Sequence, residues 1–198
     1  LRGEAPITDF PYAEWLRNAE LMAAHKPFFT CERHGQYWLS IPTGAEGATP
    51  CRLFVPKGLH PERPVPLVIA LHGAGVDENM FFDSYGAGQI VRECHSRGWL
   101  LLAPRAGLLG PAPVPALIDA LAKRYPLDRR RIFLVGHSLG AAQAAALAQR
   151  HPESFAAVAA LGGAPPLSDP QLLRRLPFFL AAGSQDDLAI AAARSLHK

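Results

Sequence analysis

The chain has 198 residues, of which 49% are hydrophobic and 19% charged. That is the composition of one globular domain with a full core, and it excludes a disordered or low-complexity chain. A formal net charge of +3, with basic residues scattered apart from Arg129-Arg130-Arg131, excludes the concentrated positive face of a nucleic-acid partner, and no apolar stretch is long enough to span a bilayer. The Arg129–Arg131 run reads as a solvated turn. Cys31, Cys51 and Cys94 are widely spaced with no Cys-x-x-Cys, so spacing indicates no metal site, redox site or organic cofactor. One disulfide, Cys31 to Cys51, stays open, because pairing is not deducible from spacing. The chain starts at Leu1 without a charged-then-apolar leader pattern, which reads as a processed or trimmed front and leaves cytoplasmic and secreted locations both open.

Taken in order, Tyr12 to Lys26 carries Trp15, Leu16, Ala19, Leu21, Met22 and Ala23 at helical spacing. Asp9 is placed to cap it and Pro11 lies just inside its start. An amphipathic helix across the outside of a domain is predicted; Glu14 and Glu20 weigh against a membrane-surface role. Gln36–Ile41 and Arg52–Val55 lie between Pro and Gly breakers and read as two early strands, antiparallel at one sheet edge. The stretch between them, Pro42 to Pro50, reads as a loop by composition, and Lys57 to Pro66 as a Pro-rich connection.

From Leu67 the pattern changes. Leu67–Leu71, Trp99–Ala103, Ile132–Val135, Ala156–Leu161 and Phe178–Ala182 are continuous apolar runs separated by helical patterns. Such runs suit parallel strands covered on both faces. The predicted fold is α/β with three layers: a mainly parallel sheet and helices on both faces. One domain is expected over residues 1–198, with 1–35 a helical extension and 36–198 the core. Ligands of such sheets sit beyond the carboxyl ends of the strands.

Three strand ends carry chemistry. Ile132–Val135 runs into Gly136-His137-Ser138-Leu139-Gly140 and then the helix-forming Ala141–Ala148. Strand, Gly-x-Ser-x-Gly, helix is the context of a nucleophile elbow, in which the glycines remove bulk from a sharp turn and Ser138 is lifted above the sheet at a helix N-terminus. The alternative is a serine in a Gly-rich turn. Leu67–Leu71 ends in His72-Gly73-Ala74-Gly75, a loop able to present a backbone donor to an oxyanion. Ala74 N–H is the expected first donor and Leu139 N–H the second; His72 reads as a loop brace. Phe178–Ala182 ends in Gly183-Ser184-Gln185-Asp186-Asp187. A carboxylate near there would orient a catalytic imidazole. Asp186 is the expected member and Asp187 the fallback, one capping the next helix while the other orients.

The base is harder to place. Ser-Asp-His order requires a histidine after Asp186, and only His197 follows. Leu188–Leu196 reads as a helix leading away, which at roughly 1.5 Å per residue puts His197 about 15 Å from the helix start. His197 therefore reads as an exposed terminal residue. The His137 side chain is expected to point away from the Ser138 hydroxyl, and His25, His34, His60, His95 and His151 fall in loops or helix ends.

These residues give the chain its resemblance to the α/β-hydrolase superfamily, and within it to esterases related to polyhydroxybutyrate depolymerases, feruloyl esterases and prolyl-oligopeptidase-like peptidases. The resemblance is carried by Pro66–Gly73, Arg97–Pro104, Tyr125–Asp128, Arg131–Gly140 and His151–Val158, and it runs from about Arg52 onward. It implies Ser138 as nucleophile, Asp186 as triad acid, and the Ala74 and Leu139 N–H groups as oxyanion donors. It also implies a further strand and a catalytic histidine not evident here. The chain thus looks like a member cut short, leaving Phe178–Ala182 as an apolar edge. Ala141 stands where many members carry a second glycine. The implied activity is hydrolysis of small-molecule or polymeric carboxylic esters through a serine acyl-enzyme. A catalytically inactive binding domain, or a peptidase or thioesterase of the same fold, is the alternative. Arg105–Pro115 is expected to line the acyl pocket, and the absence of a long lid insertion suits bulky esters. Oligomeric state stays open.

Overall fold

A computed structural model describes residues 29–44, 47–106, 110–163 and 175–187, with single positions 13, 16, 17, 19, 20, 190, 191 and 194. The strands are β1 (Gly35–Gly44), β2 (Gly47–Val55), β3 (Val65–Leu71), β4 (Leu100–Pro104), β5 (Leu127–His137), β6 (Ala157–Leu161) and β7 (Phe178–Ala181). They form one sheet in the order β1-β2-β4-β3-β5-β6-β7. β1 and β2 pair antiparallel at one edge, and β2 meets β4 antiparallel. From β4 through β7 every pairing is parallel. The α-helices described from end to end are α1 (Gln89–Arg97), α2 (Val114–Ala122) and α3 (Leu139–Arg150).

Why the central runs are apolar throughout is visible in the core. Alternate side chains of a strand face opposite ways. Leu67, Ile69 and Leu71 of β3, with Leu100 and Leu102 of β4, join α2 and α3 in one cluster. Val68 and Ala70, with Leu101 and Ala103, join Val91 and Cys94 of α1 in the other. Both faces are dry, so neither phase of the alternation is polar. Each buried Leu contributes about 1.5–3 kcal/mol relative to exposure. The helices divide between faces because connections stepping one way along the sheet (β4 to β5, β5 to β6) put α2 and α3 on one side. The β3 to β4 connection steps the other way and puts α1 opposite, as right-handed crossovers require.

The structure corrects the reading in two places. Pro42–Pro50 is not a loop. β1 and β2 stay paired through Ile41 with Thr49 and Pro42 with Ala48, to Gly44 with Gly47, because a hairpin ladder at an edge tolerates the prolines that composition counts as breakers. Arg129–Arg131 is not a turn but lies inside β5, exposed. There Arg129 pairs with Asp119 and Arg131 with Asp128, each at 2.7 Å. The solvated reading holds; the turn does not.

At the other edge β7 is last in the order, and Phe179 is 63% exposed. An apolar groove of about 370 Å³ runs along the α1 face of this half, walled by Phe133, Val135, Ala159, Phe178 and Phe179. Cys31, Cys51 and Cys94 are all free; the Cys51 thiol donates to Thr49 O at 3.3 Å inside the hairpin. Within the predicted Tyr12–Lys26 helix, positions 13, 16, 17, 19 and 20 are helical and Leu16 is 64% exposed. The rest of that segment, with Asp9 and Pro11, lies outside the described residues. Among the described residues no helix is long and apolar enough to cross a membrane.

Candidate active site

β5 delivers Ser138 at the carboxyl end of the sheet. Ser138 has φ 52 and ψ −117, a backbone conformation that an L-residue adopts only when its surroundings enforce it. Three contacts do so. Its N–H donates to Leu161 O at the end of β6, 2.9 Å away, and its carbonyl accepts Ala141 N–H at 3.0 Å to start α3. The surrounding glycines close the turn: a Cβ at Gly136 would stand 2.2 Å from Gly140 O, and one at Gly140 would stand 2.0 Å from Leu71 O. No side chain larger than hydrogen fits either position. The Ser138 hydroxyl makes no capping bond to α3. It sits half-buried at the helix N-terminus, where the dipole favours developing negative charge.

A third glycine was missed by sequence reasoning. A Cβ at Gly163 would lie 2.4 Å from Ser138 O, so the end of β6 packs directly behind the serine. Gly162-Gly163 stands at a strand's carboxyl end, the signal already used for β3, β5 and β7, and the same rule applied to β6 would have found it.

The loop after β3 comes up against the elbow. A Cβ at Gly73 would be 3.3 Å from both Ser138 Cβ and His137 Nδ1. Ala74 follows on the exposed rim. Leu139 opens α3, so its N–H is one of the first-turn donors without an intrahelical acceptor. Leu139 thus follows Ser138 directly, and Ala74 follows the Gly73 that packs against it.

His72 braces this loop. It is 4% exposed; its Nδ1 lies 2.8 Å from Gly73 O, and its Nε2 accepts Ala106 N–H at 3.0 Å. The amide fixes Nε2 as acceptor, so Nδ1 carries the proton. The His137 ring lies 4.6 Å from that of Tyr85, and its buried Nδ1 has no hydrogen-bond partner. Among the described residues no histidine is bonded to the Ser138 hydroxyl. His197 lies outside the described residues.

β7 carries the carboxylates to the same end of the sheet. Gly162 N–H donates to Ala181 O at 2.8 Å, tying the ends of β6 and β7. Two strand spacings set β7 roughly 10 Å from β5. Asp186 is half-buried at a helix start: its carbonyl accepts Ile190 N–H at 2.9 Å, and its own N–H donates to Gly183 O at 3.0 Å. Asp187 is the first helical residue and is exposed. Ile190, Ala191 and Arg194 are helical, in the stretch where a helix was expected. Of Arg105–Pro115, Arg105 and Ala106 brace the β2 and β3 ends, while 107–109 lie outside the described residues. Among the described residues no group of three or more His, Cys, Asp or Glu could hold a metal ion.

The sequence profile of the alpha/beta hydrolase fold matches residues 112–197. The bifunctional acetylxylan esterase/xylanase of Neocallimastix patriciarum is 26% identical over 146 residues, covering 69% of this chain and 21% of that protein. A solved thermostable esterase is 26% identical with a TM-score of 0.61, over 80% of this chain and 50% of its own. A mutant of the feruloyl esterase module from Clostridium thermocellum, complexed with sinapinate, superposes with a TM-score of 0.66 at 15% identity, over 82% of this chain and 71% of that one; that likeness is one of fold. The chain spans about half the length of the thermostable esterase and about a fifth of the acetylxylan esterase/xylanase.

Proposed function

We propose that this chain, which has the α/β-hydrolase fold, is a serine esterase acting on carboxylic esters. The observation that carries the proposal is Ser138, held at φ 52 and ψ −117 between β5 and α3 with the Gly73 loop against its Cβ. In this reading Ser138 Oγ attacks the ester carbonyl carbon while a histidine outside the described residues takes its proton. Asp186 orients that imidazole and stabilises its charged form. The tetrahedral oxyanion accepts the N–H groups of Leu139 and Ala74, and losing one such donor costs about 10²–10³ in rate. Collapse expels the alcohol, which takes the proton from the imidazolium. Water then adds to the acyl-enzyme by the same route, releasing the acid and regenerating Ser138. Ester rather than amide is favoured because the similar proteins named above are esterases.

A second reading, a hydrolase-like domain that binds without turnover, is favoured by the lack of a described histidine on Ser138. One experiment separates the two: label the protein with a fluorophosphonate probe and follow p-nitrophenyl acetate hydrolysis. The esterase reading expects label on Ser138, and Ser138→Ala to remove both label and turnover, by about 10⁴-fold or more. No label supports the binding domain, and equal turnover in the two proteins removes Ser138 from the mechanism.

A further inference from the structure

Ala74, Gly75 and Val76 form an exposed rim, Val76 to 37%, on the loop that would present an oxyanion donor. Its position is set from its flanks. In front, His72 ties Gly73 to Ala106. Behind, Arg105 Nε lies 2.9 Å from Glu78 Oε2, an ion contact without hydrogen-bond alignment, and Arg105 also faces Asp77 at 3.7 Å. Asp77 Oδ1 accepts Asn79 N–H at 3.0 Å.

Asn79 is where this connection is fastened to the distant sheet edge. Its Oδ1 accepts Trp38 Nε1–H from β1 at 2.8 Å and an Arg52 guanidinium N–H from β2 at 3.2 Å. Arg52 is 5% exposed. It also donates to Gln36 Oε1 at 2.7 Å and pairs with Asp83. Its guanidinium lies 4.3 Å from the Trp38 ring centre and 4.6 Å from that of Phe82. A buried cation is a poor source of net stability compared with apolar residues of the same volume, so this cluster is better understood as fixing geometry. The same connection continues to Tyr85, whose ring lies on His137. It thus runs from the hairpin edge to the elbow with the exposed rim in between.

We infer that Asn79 is a positioning residue for the oxyanion donor at Ala74, acting through the grip of Arg52 and Trp38 on its side-chain oxygen. The inference rests on the esterase reading. An oxyanion donor must be held to within about 0.5 Å, and with the rim exposed that precision comes from its flanks, of which Asn79 is the one fastened to the distant sheet edge.

The test compares Asn79→Leu, which keeps the branched shape and removes the acceptor, with Asn79→Asp, which restores it. Amide hydrogen exchange is measured alongside ester kinetics. Expected for Asn79→Leu is faster exchange at residues 73–76 with β3 and β5 unchanged, and kcat lowered by about 10–100-fold with KM within about twofold. Asn79→Asp is expected to recover most of the rate. Trp38→Phe deletes one donor at an exposed position and leaves a smaller aromatic ring there, so it should fold and shift kcat and exchange the same way by a smaller amount. Unchanged exchange at 73–76 overturns the inference whatever the kinetics. So does unchanged kcat, a failure of Asn79→Asp to recover, or a loss that tracks global exchange. Should the unmodified protein show no Ser138-dependent turnover, the esterase reading falls, and exchange at 73–76 alone decides whether the clamp exists.

Discussion

Two corners at the same end of the sheet, one at Ser138 and one at Asp186, are built in opposite ways. The serine corner is enclosed. Glycines 136, 140 and 163 each have backbone within 2.4 Å of where a Cβ would stand, and the end of β6 lies behind. The acid corner is open: Ala181 to Gln185 are exposed, and a Cβ at Gly183 would meet nothing nearer than Asp186 Cβ at 4.0 Å. The difference follows from what each residue needs. A serine with left-handed φ persists only if its neighbours forbid relaxation. A carboxylate at a helix start reaches its place by ordinary turn and helix hydrogen bonds, with no strained backbone to hold.

The contrast can be broken most sharply at the carboxylates. Asp186→Asn is expected to lower kcat by about 10⁴-fold through loss of the imidazole's orienter, while Asp187→Asn, on the exposed first turn, leaves p-nitrophenyl acetate turnover nearly unchanged. The reverse result would move the triad acid to Asp187. Next comes Gly140→Ala. Its Cβ would collide with Leu71 O, so thermal or urea unfolding should show a loss of about 3 kcal/mol or more; a mild effect would mean the elbow relaxes freely.

A smaller effect sharpens the comparison through the thiols. Burial pushes Cys51 and Cys94 up to about 12. Burial also raises Cys31, but that residue is only half-buried. A thiol reagent at pH 8 should therefore modify Cys31 first, and the other two only on unfolding. The unfolded chain loses these protons near pH 8.5 while the fold retains them. Stability is then full below that value and falls as pH rises toward about 12; urea midpoints across that window check the sign. Least of all, Gly183→Ala at the open corner should change stability by no more than about 0.5 kcal/mol.

What could be read in advance was what lies close together along the chain. Ile132 to Ala148 announced a strand, a bend and a helix, because apolar continuity, paired glycines and alanine propensity are local signals. Composition misled where pairing overrode it, in the Pro42–Pro50 hairpin and in the arginines of β5. Gly163 was legible in principle, since it occupies a strand end like the others. The Arg52–Asn79–Trp38 cluster was not: it joins residues 27 and 41 positions apart, and no local pattern in any of the three stretches announces the meeting.

The sequence by itself determined the order of strands and helices, the buried runs and the serine's sharp turn, since each follows from side-chain period, bulk and backbone freedom over ten residues or fewer. Only the tertiary structure decided that β6 closes the serine corner, that the acid corner stays open, and that a buried guanidinium on the far hairpin bonds Asn79 in the connection after β3. Those depend on which strands become neighbours, and strand order in a sheet is settled by shared burial of distant segments.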